Sequence, residues 1–300
     1  MPTPAKEPKP IGFLEFSKRF NTDDKCRDKL FELRWGKGFS CPKCGHSEYT
    51  NNKHRHRRLC KACKHETSVT AGTIMDKTHL PLTKWFWAMY IIATDKRGIS
   101  SNALKNQIHV TYKTAWYLKK RIREAMSDSL ENTFLCGIVE LDDSHFGGPG
   151  EGGKRGRGTP KSKVIAGLQV DDDGKPQALK MRVVQNLRSK TIGLFAAENI
   201  VAGANIRSDS FRSYRKPLAE KYLHEYQAFD KESEHLAWLH KMISNAKSYI
   251  QGTFHGLPST CLQSHLDEFS WRLNHRFSQQ NIFTFLLKDA LTCNFRAARA

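Results

Sequence analysis

Four cysteines restrict the folding of this chain more than any other feature. Cys41 and Cys44 in "CPKCG" and Cys60 and Cys63 in "CKAC" make two CxxC pairs with fifteen residues between them. Each pair is a knuckle that aims two thiolates at one point, and two knuckles at this separation can complete a tetrahedral Zn²⁺ site. A redox CxxC is the competing reading, but the thioredoxin-like βαβ pattern it calls for is missing from the flanking sequence. Four thiolates fill the coordination shell and leave no open position for chemistry, so the zinc is expected to be structural. His46, His54, His56 and His65 could each replace a cysteine, although they fit a charged surface more simply. Cys26, Cys136, Cys261 and Cys293 are scattered and read as packed thiols in a reducing compartment.

The charge balance says what such a chain would meet. Its 300 residues carry 49 Lys and Arg against 30 Asp and Glu, a formal net charge of +19. That favours a polyanionic partner, nucleic acid before membrane. No apolar run reaches the length of a membrane span, and "MPTPAKEPKP" has no signal-peptide centre, so a cytoplasmic location is expected. Arg55, Arg57 and Arg58, with Lys53, Lys61 and Lys64, lie on or beside the second knuckle. They read as a phosphate-contacting face or, more plainly, as a solvated hairpin. Ahead of the knuckles, "NTDDKCRDKLFELRW" predicts an amphipathic helix capped by Asn21 or Thr22, with Asp23 and Asp24 at the positive end of its dipole.

Beyond the ribbon the pattern is helical. An apolar helix is predicted over 83–95, then two more over about 100–107 and 111–126, with a break at His109 and Val110. This is helix-turn-helix spacing. The last helix carries Lys113, Lys119, Lys120 and Arg121 on a frame of Ala115, Trp116, Leu118 and Ile122. These cations are expected to contact DNA, although three-helix bundles in general have this pattern. Trp85, Phe86 and Trp87 read as core.

From residue 136 the period changes to that of strands. "CGIVELDDSHFGG", "VIAGLQVD" and "LKMRVVQN" are three strands, followed by a helix near 189–198, a strand in "ANIRSDSF" and a mainly helical remainder, which suits an α/β layered domain. "GGPGEGGKRGRGTPKSK" reads as a mobile basic hairpin or loop. Strand alternation puts Glu140 and Asp142 on one face, Leu141 and Asp143 on the other. Carboxylates beside apolar neighbours are costly without a cation. Asp209 ends a second strand, and Asp142 and Asp209 could share Mg²⁺ or Mn²⁺; each could equally cap a turn or helix.

The order of zinc ribbon, helix-turn-helix, "VELDDSHFGG", "SDSFRSY" and "HKMISNAKSYIQGTFHG" resembles the transposases of bacterial insertion sequences in the zinc-ribbon family numbered fifteen ninety-five. The resemblance runs from about Phe13 to Arg276. It implies an α/β fold with an RNase H-like catalytic domain preceded by a small four-cysteine zinc ribbon and a helical helix-turn-helix-like region. The boundaries expected are 1–37 for an N-terminal helical segment, 38–72 for the ribbon, 73–130 for the helical DNA-binding region and 131–300 for the catalytic domain. Carried over residue by residue, the family's acidic motif falls on Asp142 and Asp209. Its third position, usually Glu or Asn, falls on His240, and its lysine on Lys247; a branch of the family has histidine there. His240 and Lys247 lie two helical turns apart and share a face. The resemblance further implies binding of double-stranded DNA at element ends and target, strand cleavage and transfer with Mg²⁺ or Mn²⁺ held by Asp142, Asp209 and His240, a homo-oligomer at synapsis, and a place on the nucleoid. A non-catalytic zinc-ribbon DNA-binding regulator is the alternative.

Overall fold

The computed structural model describes residues 10–52, 55–147, 161–228 and 235–293. Lys53, His54 and most of the expected basic loop, residues 148–160, lie outside them. In chain order the elements begin with α1 (Phe13–Arg19), α2 (Asp23–Trp35), β1 (Tyr49–Asn52), β2 (Arg57–Cys60), β3 (Glu66–Thr67), α3 (Leu82–Thr94), α4 (Ser101–Ile108) and α5 (Tyr112–Glu131). There follow β4 (Ile138–Phe146), β5 (Ser162–Val170), β6 (Pro176–Val184), α6 (Ser189–Asn199), β7 (Asn205–Asp209), α7 (Arg212–Ala219), β8 (Leu223–Gln227), α8 (Ala237–Phe254), α9 (Ser259–Asn274) and α10 (Ile282–Thr292). The chain divides into two compact units, one of 1–95, 101–128 and 278–300, the other of 96–100 and 129–277.

In the first unit α2 is capped as its sequence suggests: Thr22 Oγ1 accepts from the Lys25 amide at 3.3 Å, one of the N–H groups a helix start leaves without a partner. Asp23 serves another helix. Its carboxylate accepts from the Thr83 amide at 3.0 Å, at the start of α3, where the preceding Pro81 makes no side-chain cap. β1, β2 and β3 form an antiparallel ribbon sheet. The helical core is aromatic. Phe16 stacks on Tyr90 with centroids 4.1 Å apart and meets the edge of Phe283 at 5.0 Å. Phe283 comes from α10, so residues 278–293 pack in this unit, whereas the sequence grouped them with the α/β domain. Apolar burial sets that choice: a helix burying Ile282, Phe283, Leu286 and Leu287 needs a matching apolar surface.

The second unit is α/β, as expected, on a five-stranded mixed sheet ordered β6-β5-β4-β7-β8. β4, β5 and β6 are antiparallel neighbours, while β7 runs parallel to β4, and β8 to β7. Side chains leave a strand alternately up and down, and both faces of this sheet are covered. On one face Val164, Ala166 and Leu168 join Leu239, Met242, Ile243 and Leu266 of α8 and α9. On the other Val139, Leu141 and Ile165 join Ile192, Phe195 and Tyr214 of α6 and α7. β8 was not anticipated, because its burial pattern carries no apolar alternation to reveal it.

Candidate functional site

β4 and β7 lie side by side and parallel, paired from Ile138 opposite Asn205 to Leu141 opposite Ser208. The next residue on each strand is an aspartate, Asp142 and Asp209. Neighbouring strands are about 4.8 Å apart, so two aspartates from distant parts of the sequence stand on adjacent strands of one sheet. α8 crosses this face. His240 Nε2 donates to Asp142 Oδ2 at 3.0 Å, while Asp142 Oδ1 accepts from the Asp143 amide at 2.8 Å. This hydrogen bond raises the His240 pKa above its ordinary value; burial opposes it, and the charges of Asp142, Glu140 and Asp209 add to it. Asp142, Asp209 and His240 therefore share one electrostatic environment. One oxygen of Asp209 accepts from the Phe211 amide at 3.0 Å, the local turn bond its sequence also allowed.

Lys247 follows on α8 with its Nζ 5.5 Å from the centre of the Phe146 ring of β4. Burial pushes it below the usual lysine range and Lys161 acts the same way, while Asp142 pulls it back. All four residues singled out in the sequence therefore stand on the β4, β7 and α8 side of this sheet. Asp143, on the opposite face, accepts from the Tyr214 hydroxyl at 3.3 Å.

Glu140 is 6% exposed, a buried carboxylate of the kind expected to need a cation. Its hydrogen-bond partner is a helix amide instead: Glu140 Oε2 accepts from the Leu239 N–H at 2.8 Å. Burial raises its pKa, with that N–H and the positive charge of Arg207, His235 and His240 pulling it back. His235 was not singled out in the sequence. Its Nε2 lies 2.8 Å from the carbonyl oxygen of Ser208, beside Asp209. Neither contact carries a local sequence signal, since both join segments far apart in the chain.

The four ribbon cysteines converge in the first unit. Their sulfurs all lie within 4.8 Å of one another, with Cys41 to Cys63 at 3.7 Å and Cys44 to Cys60 at 3.6 Å. A tetrahedral Zn²⁺ with bonds of about 2.3 Å separates its sulfurs by about 3.8 Å, so the cluster fits the ion. Both knuckles turn the same way. Gly45 and Lys64, each following the second cysteine of its pair, adopt left-handed φ of 75° and 56°. Their amides donate to the Cys41 and Cys60 carbonyls at 2.8 and 3.1 Å.

The expected DNA contacts divide. Arg55 and Arg57 are exposed beside the second knuckle, but the Arg58 guanidinium lies 4.2 Å from the centre of the Phe31 ring and packs against α2. On α5, Lys113 and Lys120 are exposed. Lys119 and Arg121 are each only 4% exposed, so they are corrected from DNA-contacting to packed residues. The Arg121 Nε and Nη2 both donate to the Tyr117 hydroxyl, at 2.7 and 2.5 Å. Position on the helix explains the difference, because 119 and 121 fall on the turn that buries Ala115, Leu118 and Ile122. Trp116, expected in the buried frame, is 50% exposed and lies on the outer stripe with Tyr112 and Lys120.

A four-cysteine ribbon in one unit and, in the other, a mixed α/β sheet with Asp142 in mid-β4 and Asp209 at the end of the neighbouring β7 define the architecture. Residues 21–66 match the family model described as a transposase zinc-ribbon domain, and residues 134–274 match that of the ISXO2-like transposase domain. The chain belongs to this zinc-ribbon family of insertion-sequence transposases. It is 26% identical over 218 residues to the "Uncharacterized protein in transposable element ISH50" of Halobacterium salinarum, covering 68% of this chain and 72% of that protein. Among the described residues no helix is long and apolar enough to cross a membrane.

Proposed function

We propose that this chain binds the terminal inverted repeats of an insertion sequence and cleaves and transfers DNA strands at an RNase H-like site made of Asp142, Asp209, His240 and Lys247. The observation that carries this reading is the 3.0 Å bond from His240 to Asp142, in the middle of β4, whose parallel neighbour β7 ends in Asp209. The antiparallel β6-β5-β4 arrangement extended by parallel β7 and β8 supports the RNase H-like reading.

Two carboxylates and an imidazole nitrogen are a ligand set suited to Mg²⁺ or Mn²⁺. When bound, such ions relieve charge on a scissile phosphate and activate the attacking oxygen. The chain's own groups do the rest. Asp142 orients the His240 ring, Phe211 N–H fixes the Asp209 carboxylate, and Lys247 offers a cation to a phosphate next to the cut. Arg55, Arg57, Lys113 and Lys120 gather the duplex, a homo-oligomer brings two ends together, and the protein acts on the nucleoid.

The test is cleavage of an oligonucleotide duplex carrying the element's end by the full chain with Mg²⁺ or Mn²⁺. Cleavage by the wild type that is lost in both Asp142→Asn and Asp209→Asn is expected. Equal cleavage by all three would remove these carboxylates from the reaction.

A further inference from the structure

Among the described residues, no flanking side chain caps the start of α8. Its first flanking residue, Leu236, sits at φ 59°, a left-handed conformation costly for a branched side chain, and makes no side-chain cap bond. A helix start leaves its first amides in search of acceptors. One of them, Leu239 N–H, donates to Glu140 Oε2 at 2.8 Å across 99 residues of sequence. The capping oxygen therefore comes from the sheet.

Glu140 and Asp142 are two residues apart on β4 and share a face, about 6.7 Å from each other along the strand. Leu239 and His240 are consecutive on α8. Two rungs result: Glu140 to the Leu239 backbone, and Asp142 to the His240 ring. Rotation by one helical residue is about 100°, so the first rung decides which side chain of α8 the second one meets.

We infer that Glu140 is the positioning residue of this site: as an N-terminal cap supplied from β4, it fixes the rotation of α8 that sets His240 against Asp142. This rests on the reading of Asp142, Asp209 and His240 as the cleavage site. Leu239 buries its side chain completely in the core between sheet and helices, which keeps the amide in place for the carboxylate. What the bond requires is an oxygen at the end of a glutamate-length side chain, whatever its charge. A metal ligand at position 140 would have the opposite requirement, charge before reach.

Two conservative variants of the full chain separate these requirements. Glu140→Gln keeps an acceptor at the same reach and gives up the charge. Glu140→Asp keeps the charge and withdraws the oxygen by one methylene. Gln is expected to retain DNA cleavage to within about 3-fold, while Asp loses about 10- to 100-fold in kcat with the KM for the duplex unchanged. The reverse ranking, or equal rates for both variants and the wild type, overturns the inference. Hydrogen exchange at the Leu239 amide gives a readout independent of catalysis. Slow exchange in wild type and Gln with fast exchange in Asp supports the cap, and equal exchange in all three overturns it. If the wild type cleaves no better than Asp142→Asn, the cleavage reading fails, and the Leu239 exchange still decides the role of Glu140.

Discussion

His240 Nε2 donates to Asp142 Oδ2 at 3.0 Å, tying α8 to β4 across 98 residues of sequence. On the proposed reading His240 stands where the family usually carries Glu or Asn, and an imidazole is a softer ligand than a carboxylate. Mn²⁺ should therefore support cleavage better than Mg²⁺ in the wild type, and His240→Glu should shift the preference toward Mg²⁺. Asp142→Asn should lower the rate under either metal by about 10³-fold, on the order of 4 kcal/mol in barrier. Initial rates on an end-bearing duplex with each ion check both, and an unchanged metal ratio in His240→Glu would count against ligation by His240.

The same bond links stability to pH. Hydrogen bonding to Asp142 raises the His240 pKa, so the folded chain binds this proton more tightly than the unfolded one. Its contribution is full below the unfolded value of about 6.5 and is lost as pH rises through the raised folded value. In metal-free protein the melting temperature of the wild type should exceed that of Asp142→Asn by more at about pH 6 than at about pH 8. A gap independent of pH would contradict this.

Zinc retention should follow thiol ionisation. Burial works to raise the Cys41 thiol, but the amides of Lys43 and Cys44 and the neighbouring sulfurs bring it down to about 7. The His46 amide lowers the Cys44 thiol, but the sulfurs of Cys63, Cys60 and Cys41 push it up to about 12; protons compete with zinc for each thiolate, so affinity should fall as pH drops. A chromogenic chelator should strip the ion faster at about pH 5.5 than at about pH 8, with loss of the ribbon's fold and no direct effect on the α/β unit.

The two sides of α5 should respond differently to alanine. Lys113→Ala and Lys120→Ala, on the exposed side, should weaken DNA binding for all sequences alike and each reduce the salt slope by about 1. Lys119→Ala and Arg121→Ala remove side chains only 4% exposed and should lower the unfolding midpoint instead. Binding titrations at several salt concentrations, alongside thermal melts, separate the two sets.

In the α/β unit Glu268 and Arg272 form a buried ion pair at 3.0 Å, 1% and 8% exposed, with the guanidinium 4.9 Å from the centre of the Tyr249 ring. Removing Glu268 takes a buried charge partner from Arg272, so Glu268→Ala should cost about 3–5 kcal/mol in denaturant unfolding. The double change Glu268→Leu with Arg272→Met should cost much less, because both members of the buried pair give way to apolar groups.

Much of this molecule is local and was legible in its sequence. Knuckle spacing specifies the cysteine cluster, because the four ligands need only two short turns. Periodicity gives α3, α4, α5 and the strands β4, β5 and β6, because burial on one or two faces imprints itself at 3.6 or 2 residues. Asp142 and Asp209 could be singled out, but whether they meet could not, since strand pairing is a long-range choice. Tertiary structure alone decided that Lys119 and Arg121 turn inward, that α10 returns to the aromatic core of the first unit, and that Glu140 caps a helix 99 residues away. Each of these depends on which surface an element meets, and a carboxylate or cation in a sequence carries no mark of the partner that folding will bring to it.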